Sequence, residues 1–189
     1  MRFTILENEI HEVTQTQFDE FIEKNCQQFI KESKGKNLYR GISTKQTKAE
    51  RFIATPLKNR APKDMPLDIH KFLNNLFLQK FGWPARSMSI FGSSRRHIAG
   101  YYGTPYKIYP TDDFEFIWSP EIDDLYIKYD QYIGEIRAVY RPNPTPQEVI
   151  EEYLVQLVKT YRNDDLAEAI KSENEIMILC DQYAGEWTG

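Results

Sequence analysis

Thiols are nearly absent from this chain. Cys26 and Cys180 are its two cysteines. They stand far apart in amphipathic or apolar contexts, so no disulfide framework and no cysteine-built zinc site is expected. Two reduced, buried thiols suit a chain whose start, MRFTILENEIHEV, turns polar too early for a secretory leader. Histidine is equally scarce: His11, His70 and His97 are unclustered and read as structural or surface residues, with no metal implied. No apolar run approaches the roughly 20 residues that a membrane span needs. Positive charge is not in excess either. The net charge of −4 argues against a protein that coats nucleic acid through a strong basic field. Internal repeats and low-complexity tracts are missing. The expectation is a cytoplasmic globular protein with one domain over 1–189, a helical segment at about 15–32 and a core from about 36 onward.

Aromatic side chains, by contrast, are plentiful: 12 Tyr, 11 Phe and 3 Trp among 189 residues, enough for a strand-based core and for ring-lined pockets. Phe18, Phe21, Ile22, Cys26, Phe29 and Ile30 recur at helical spacing and predict a helix over 15–31. Residues 37–42 read as a short strand. The connection to Pro66 reads as irregular, broken by Pro56 and Pro62. Lys45, Lys48, Arg51, Lys58, Arg60 and Lys63 make it basic, and Arg86, Arg95 and Arg96 form a second basic group. Both groups are expected as solvated faces.

A helix over 66–81 gathers Ile69, Phe72, Leu73, Leu76 and Phe77 on one face. A strand over 87–91 and a short helix over 95–102 follow. Strands over 105–109 and 114–118 read as a hairpin through 110–113, with a helix over 120–129 after them. Asn143-Pro-Thr-Pro146 punctuates the chain. Beyond it lie a helix over 147–162, a helical turn over 164–170 and an apolar strand over 175–180. This order lacks the regular strand–helix alternation of a doubly wound sheet, so the expected class is α+β.

Three stretches are odd for scaffolding. In Leu38-Tyr39-Arg40-Gly41 an arginine sits in a short apolar strand, where its guanidinium suits phosphate or carboxylate, and the glycine admits a ligand or another backbone. A structural arginine paired with a carboxylate fits the same residues. Ser87 and Ser89 alternate on a strand and would share one face, leading into Phe91-Gly92-Ser93-Ser94, whose serines also suit a helix cap. Glu173 and Glu175 alternate before the buried strand, where a carboxylate is half desolvated and effective at stabilising charge. A solvated acidic turn reads equally well there.

An arginine strand, a serine strand and a Glu-x-Glu before a late strand, in that order, resemble the R–S–E pattern of ADP-ribosyltransferases of the bacterial toxin and arginine-specific branch. The resemblance implies small mixed or antiparallel sheets with flanking helices, NAD as substrate and no metal. It puts Arg40 at the R position beside Gly41, Ser87 or Ser89 at the S position, and Glu175 as the catalytic glutamate. Glu173 becomes the acid that activates an arginine acceptor. In that family the arginine holds the NAD phosphates or frames the site, and the serine strand supports the nicotinamide pocket. The glutamate bonds the ribose 2′-hydroxyl and stabilises an oxocarbenium-like transition state. Phe91, Tyr101 or Tyr102 would stack the nicotinamide. Ser-Met-Ser replaces the usual Ser-Thr-Ser, so Phe91-Gly92-Ser93 stays open as the S region.

The segments at 60–62, 70–81, 102–103 and 175–183 are also similar to small proteins of phage and prophage genomes, which implies a host cytoplasm. The acceptor, a host protein or a nucleic acid, is not encoded in these residues. A second reading is a non-enzymatic phage-type protein that binds a host protein, with Arg40 and Glu175 as structural residues.

Overall fold

A capping box starts the first helix. The Thr14 hydroxyl accepts from the Gln17 amide and the Gln17 side chain accepts from the Thr14 amide. In this computed structural model, which describes residues 9–62, 65–140 and 146–189, α1 covers Gln15–Asn25 and α2 covers Gln27–Ser33. The helix predicted over 15–31 is thus two helices broken at Cys26. The Asp112 carboxylate, accepting from the Gln28 amide at 2.7 Å, holds the second start in place. The first eight residues, Lys63 and the break at 143–145 lie outside the described residues.

The class is α+β, as expected. Two antiparallel sheets organise the chain. The larger contains β1 (Glu9–Glu12), β2 (Tyr39–Ile42), β3 (Arg51–Thr55), β5 (Thr104–Pro110) and β8 (Tyr183–Trp187), in the order β1-β3-β8-β5-β2. The smaller contains β4 (Ile90–Gly92), β6 (Glu115–Trp118) and β7 (Ile176–Leu179), in the order β4-β7-β6. The sheets meet where β2 passes β4. There Tyr39 and Ser93 exchange backbone hydrogen bonds of 2.8 and 3.0 Å.

The apolar run Ile-Met-Ile-Leu of β7 is explained by burial on both faces. Ile176 and Ile178 join Leu38, Ile42, Phe52 and Ile108 in a core between the sheets. Met177 turns to the other side, into a second core with Leu73 and Phe77 of α3 (Leu67–Phe81), Leu125 and Ile133 of α6 (Leu125–Tyr140) and Leu154 of α7 (Gln147–Lys159). Gly82, at φ 87°, ends α3 in the left-handed conformation that glycine adopts freely. The remaining helices are α4 (Ala85–Met88), α5 (Arg96–Gly100) and α8 (Leu166–Lys171).

Several expectations need correction. β5 and β6 are not a hairpin; they belong to different sheets. The turn between them carries Asp113 at φ 63° and hands the chain from one sheet to the other. The strand predicted over 87–91 is a helical turn, α4, followed by β4, so Ser87 and Ser89 do not share a strand face. The connection taken as irregular contains β3, whose Phe52 and Ala54 alternate inward. The helix predicted over 120–129 begins later and runs longer as α6.

Gly41 admits a backbone. A Cβ there would overlap the Ala99 carbonyl oxygen and stand 2.9 Å from both the Gly103 amide nitrogen and Tyr102 Cβ. Gly41→Ala should therefore push α5 and the following turn off β2 and cost about 1–3 kcal/mol, as overpacking does. A urea unfolding midpoint checks this, and an unchanged midpoint would show that the turn yields freely.

Candidate functional site

Side-chain parity on the small sheet decides what faces the helices. Phe91 pairs with Met177 in register, and Glu175 lies two residues before Met177, so Phe91 and Glu175 leave the same side. The Glu175 amide is held by the Asp123 carbonyl at 3.0 Å, which pins the residue to the segment that opens α6. Around these two residues α3, α4, α5 and α6 enclose a cavity of about 490 Å³, the size of a small-ligand site. Tyr39, Arg60, His70, Arg95, Tyr102 and Asp124 are among the other residues that line it.

The cavity's charges are arranged around one ring. The Arg60 guanidinium carbon lies 4.6 Å and that of Arg86 5.0 Å from the Phe91 centroid. Arg60 also donates to the Ser89 carbonyl. Arg86 Nη1 stands 3.6 Å from Glu175 Oε1, with the two side chains 9% and 18% exposed. On the far side Tyr102 donates to Asp124 at 3.4 Å. Asp124 also accepts from the Ile127 amide at 3.0 Å, at the start of α6.

Burial pushes the Glu175 carboxyl up to about 8, and Asp124 adds to this, while Arg86 and Arg60 pull it back. Burial, then Asp124 and Glu175, likewise raise the Tyr102 phenol. His70 moves the opposite way. Burial first, and then the Arg86 charge, lower it to about 4, so it is neutral at physiological pH. Its Nε2 lies 3.0 Å from Ser87 Oγ and 3.1 Å from the Asn74 side-chain nitrogen, and Asn74 donates to Ser87 at 2.6 Å. The cavity floor thus offers an acid with a raised pKa, a neutral imidazole and three arginines.

The residues singled out from sequence divide in two. Glu175, Phe91 and Tyr102 line the cavity, as does Ser93 of the alternative serine frame. Arg40, Gly41, Ser87, Ser89 and Glu173 do not. Arg40 is 2% exposed, donates to the Phe91 carbonyl at 3.2 Å and lies 5.9 Å from the Tyr183 ring. Ser89 is fully buried. Glu173 does not share an extended face with Glu175. It sits at φ 66°, exposed, and its carbonyl accepts from Ser93 Oγ and Arg95 Nε. Arg60, Arg86, Asp123, Asp124 and His70 were missed as site residues. The proline-bounded, arginine-bearing 57–62 segment was the available signal for the first of them.

No protein-family model, curated protein or solved structure matches this chain. Among the described residues no cluster of His, Cys, Asp and Glu could hold a metal ion, and no helix is long and apolar enough to cross a membrane.

The Glu175 carboxyl, raised in the folded chain, releases its proton far more readily when unfolded. The stability it contributes is therefore full below about pH 4.5 and is lost as the pH rises through about 8. Glu175→Gln should gain melting temperature relative to the parent between those limits, with no further gain above. His70 gives the reverse dependence, its contribution being lost as the pH falls from about 6.5 toward 4. Melting curves across pH for the parent, Glu175→Gln and His70→Gln check both signs. A pH-independent difference would contradict the burial argument.

Proposed function

We propose that this protein is an NAD-consuming ADP-ribosyltransferase, or an NAD glycohydrolase where water is the acceptor. One observation carries the reading. The arginine, serine and glutamate stretches lie far apart in sequence, yet they stand side by side as β2, β4 and β7, with Glu175 beside a ring-lined cavity. β2 bridges β4 through Tyr39 and Ser93, and β4 pairs with β7.

The chemistry asked of the site is modest. The bond between ribose C1′ and the nicotinamide nitrogen breaks, and the electron pair leaves with nicotinamide. Positive charge develops on the ribose and is offset by the Glu175 carboxylate. The acceptor, or water, then attacks C1′ and loses a proton. Burial of Glu175 weakens competition from solvent. Glu175 Oε1 is buried with no hydrogen-bond partner, which suits a ribose hydroxyl donor. Tyr39, Tyr101 and Tyr102 offer rings for the nicotinamide. Phe91 already carries two guanidiniums. The diphosphate would meet Arg60, Arg86 or Arg95, because Arg40 does not line the cavity. Ser93, which binds the Glu173 carbonyl from the cavity wall, fits the serine role better than Ser87 or Ser89. The acceptor, protein or nucleic acid, would approach past Glu173 and α5.

Purified protein with NAD should release nicotinamide, and Glu175→Gln should lower the rate by about 10²–10³-fold. Release should rise with pH as Glu175 ionises near pH 8. Equal rates in parent and variant would remove Glu175 from the mechanism. Absence of both binding and release, with cell lysate supplied as acceptor, would favour the host-binding reading instead.

A further inference from the structure

The ion pair between Arg86 and Glu175 is not something that charge stabilisation alone demands. Arg86 is nearly buried and rests on the Phe91 ring. Its Nε is buried and makes no hydrogen bond, and neither does Glu175 Oε1. The 3.6 Å gap exceeds a hydrogen bond, so charge rather than a closed fork couples the two groups. A bare guanidinium donor inside a protein costs stability. A flat guanidinium can lie on an aromatic ring and still face a carboxylate, whereas a lysine ammonium would be a mobile point charge.

Every neighbouring element contributes charge to Glu175. Asp123 and Asp124 face it from the start of α6, Arg60 from the 57–62 segment and Arg86 from α4. Tyr102 beyond α5 and Tyr161 beyond α7 are phenols held neutral by burial, with Glu175 and Asp124 reinforcing this. Two acids and the apolar surroundings therefore work against the charged carboxylate, and Arg86 is the larger of the two opposing influences.

We infer that Arg86 is a positioning residue: braced on Phe91, it favours the ionised form of Glu175 and fixes the carboxylate in the cavity wall, without closing a hydrogen bond on Oε1. The role rests on the reading of Glu175 as the reactive carboxylate, and it acts through Glu175 without touching the substrate's reacting atoms. Asp124 is the counterweight, with its own geometry fixed by Tyr102 and the α6 start.

Two readouts on the full chain separate this inference from the reaction reading. The first is the titration of Glu175 in isotope-labelled protein without NAD, assigned by its loss in Glu175→Gln. The second is the pH profile of nicotinamide release. Arg86→Gln should raise the Glu175 midpoint by about one unit or more and shift the release profile to higher pH by the same amount. Asp124→Asn, which retains capping ability, should lower both midpoints. Arg86→Lys should fall between parent and Arg86→Gln, with kcat lowered about tenfold and KM little changed.

A Glu175 midpoint that stays in place in Arg86→Gln while the melting temperature drops would make Arg86 merely structural and overturn the inference. If Arg86→Gln does not fold, a lysine variant indistinguishable from the parent in midpoint and rate does the same. A shifted titration in a protein that never releases nicotinamide would sustain the role of Arg86 and remove the transferase reading alone.

Discussion

Arg40 ties the two sheets together. Its guanidinium, buried from solvent, leaves β2 of the large sheet and donates to the Phe91 carbonyl on β4 of the small one, next to the Tyr39–Ser93 backbone exchange. A buried guanidinium needs partners to offset its desolvation, and here one partner is the strand that carries the cavity's central ring. With β4 set against β2, the Phe91 side chain is directed toward the helices, where Arg60 and Arg86 settle over it. With β7 paired to β4, Glu175 emerges beside Arg86. Arg40 itself lies behind β4 and does not line the cavity.

The cavity brings charges of both signs into one small, partly buried space. Three arginines, two aspartates and a glutamate line one space. The surrounding burial keeps one acid protonated near neutrality and one imidazole uncharged. The His70–Asn74–Ser87 cluster answers to the same environment. Placed in a helical turn instead of a strand, Ser87 orients a neutral histidine.

Much of the framework was legible in the residues, because its signals are local. Helical periodicity marked α3 and α7. The Gly82 stop and the unbroken apolar run of β7 were equally plain. What escaped depends on partners distant in sequence. β1 is mostly exposed and shows no inward alternation. β8 contains Gly185, which reads as a break until the Phe52 ring is seen filling the space a side chain would take. The proline and aspartates at 110–113 look the same whether a chain turns back on itself or crosses to another sheet. For the site, the order of arginine, serine and glutamate stretches was visible, and of the residues singled out Glu175, Phe91, Tyr102 and Ser93 line the cavity. The convergence of Arg60 and Arg86 on Phe91, and of Asp124 on Tyr102, is tertiary and has no local pattern to betray it.

The centre strand of the small sheet and an inner strand of the large one both come from the last part of the sequence. β7 separates β4 from β6, and β8 separates β3 from β5. Until residues 176–187 arrive, each sheet exists only as halves with bare, apolar inner edges, and every pairing that closes the gap is long-range. Pairings of such long range close slowly, and unpaired strand edges invite wrong partners. The same late segment brings Glu175 to the cavity. A chain that has not closed both sheets therefore lacks one wall of the cavity, so the cavity is among the last features of the fold to take shape.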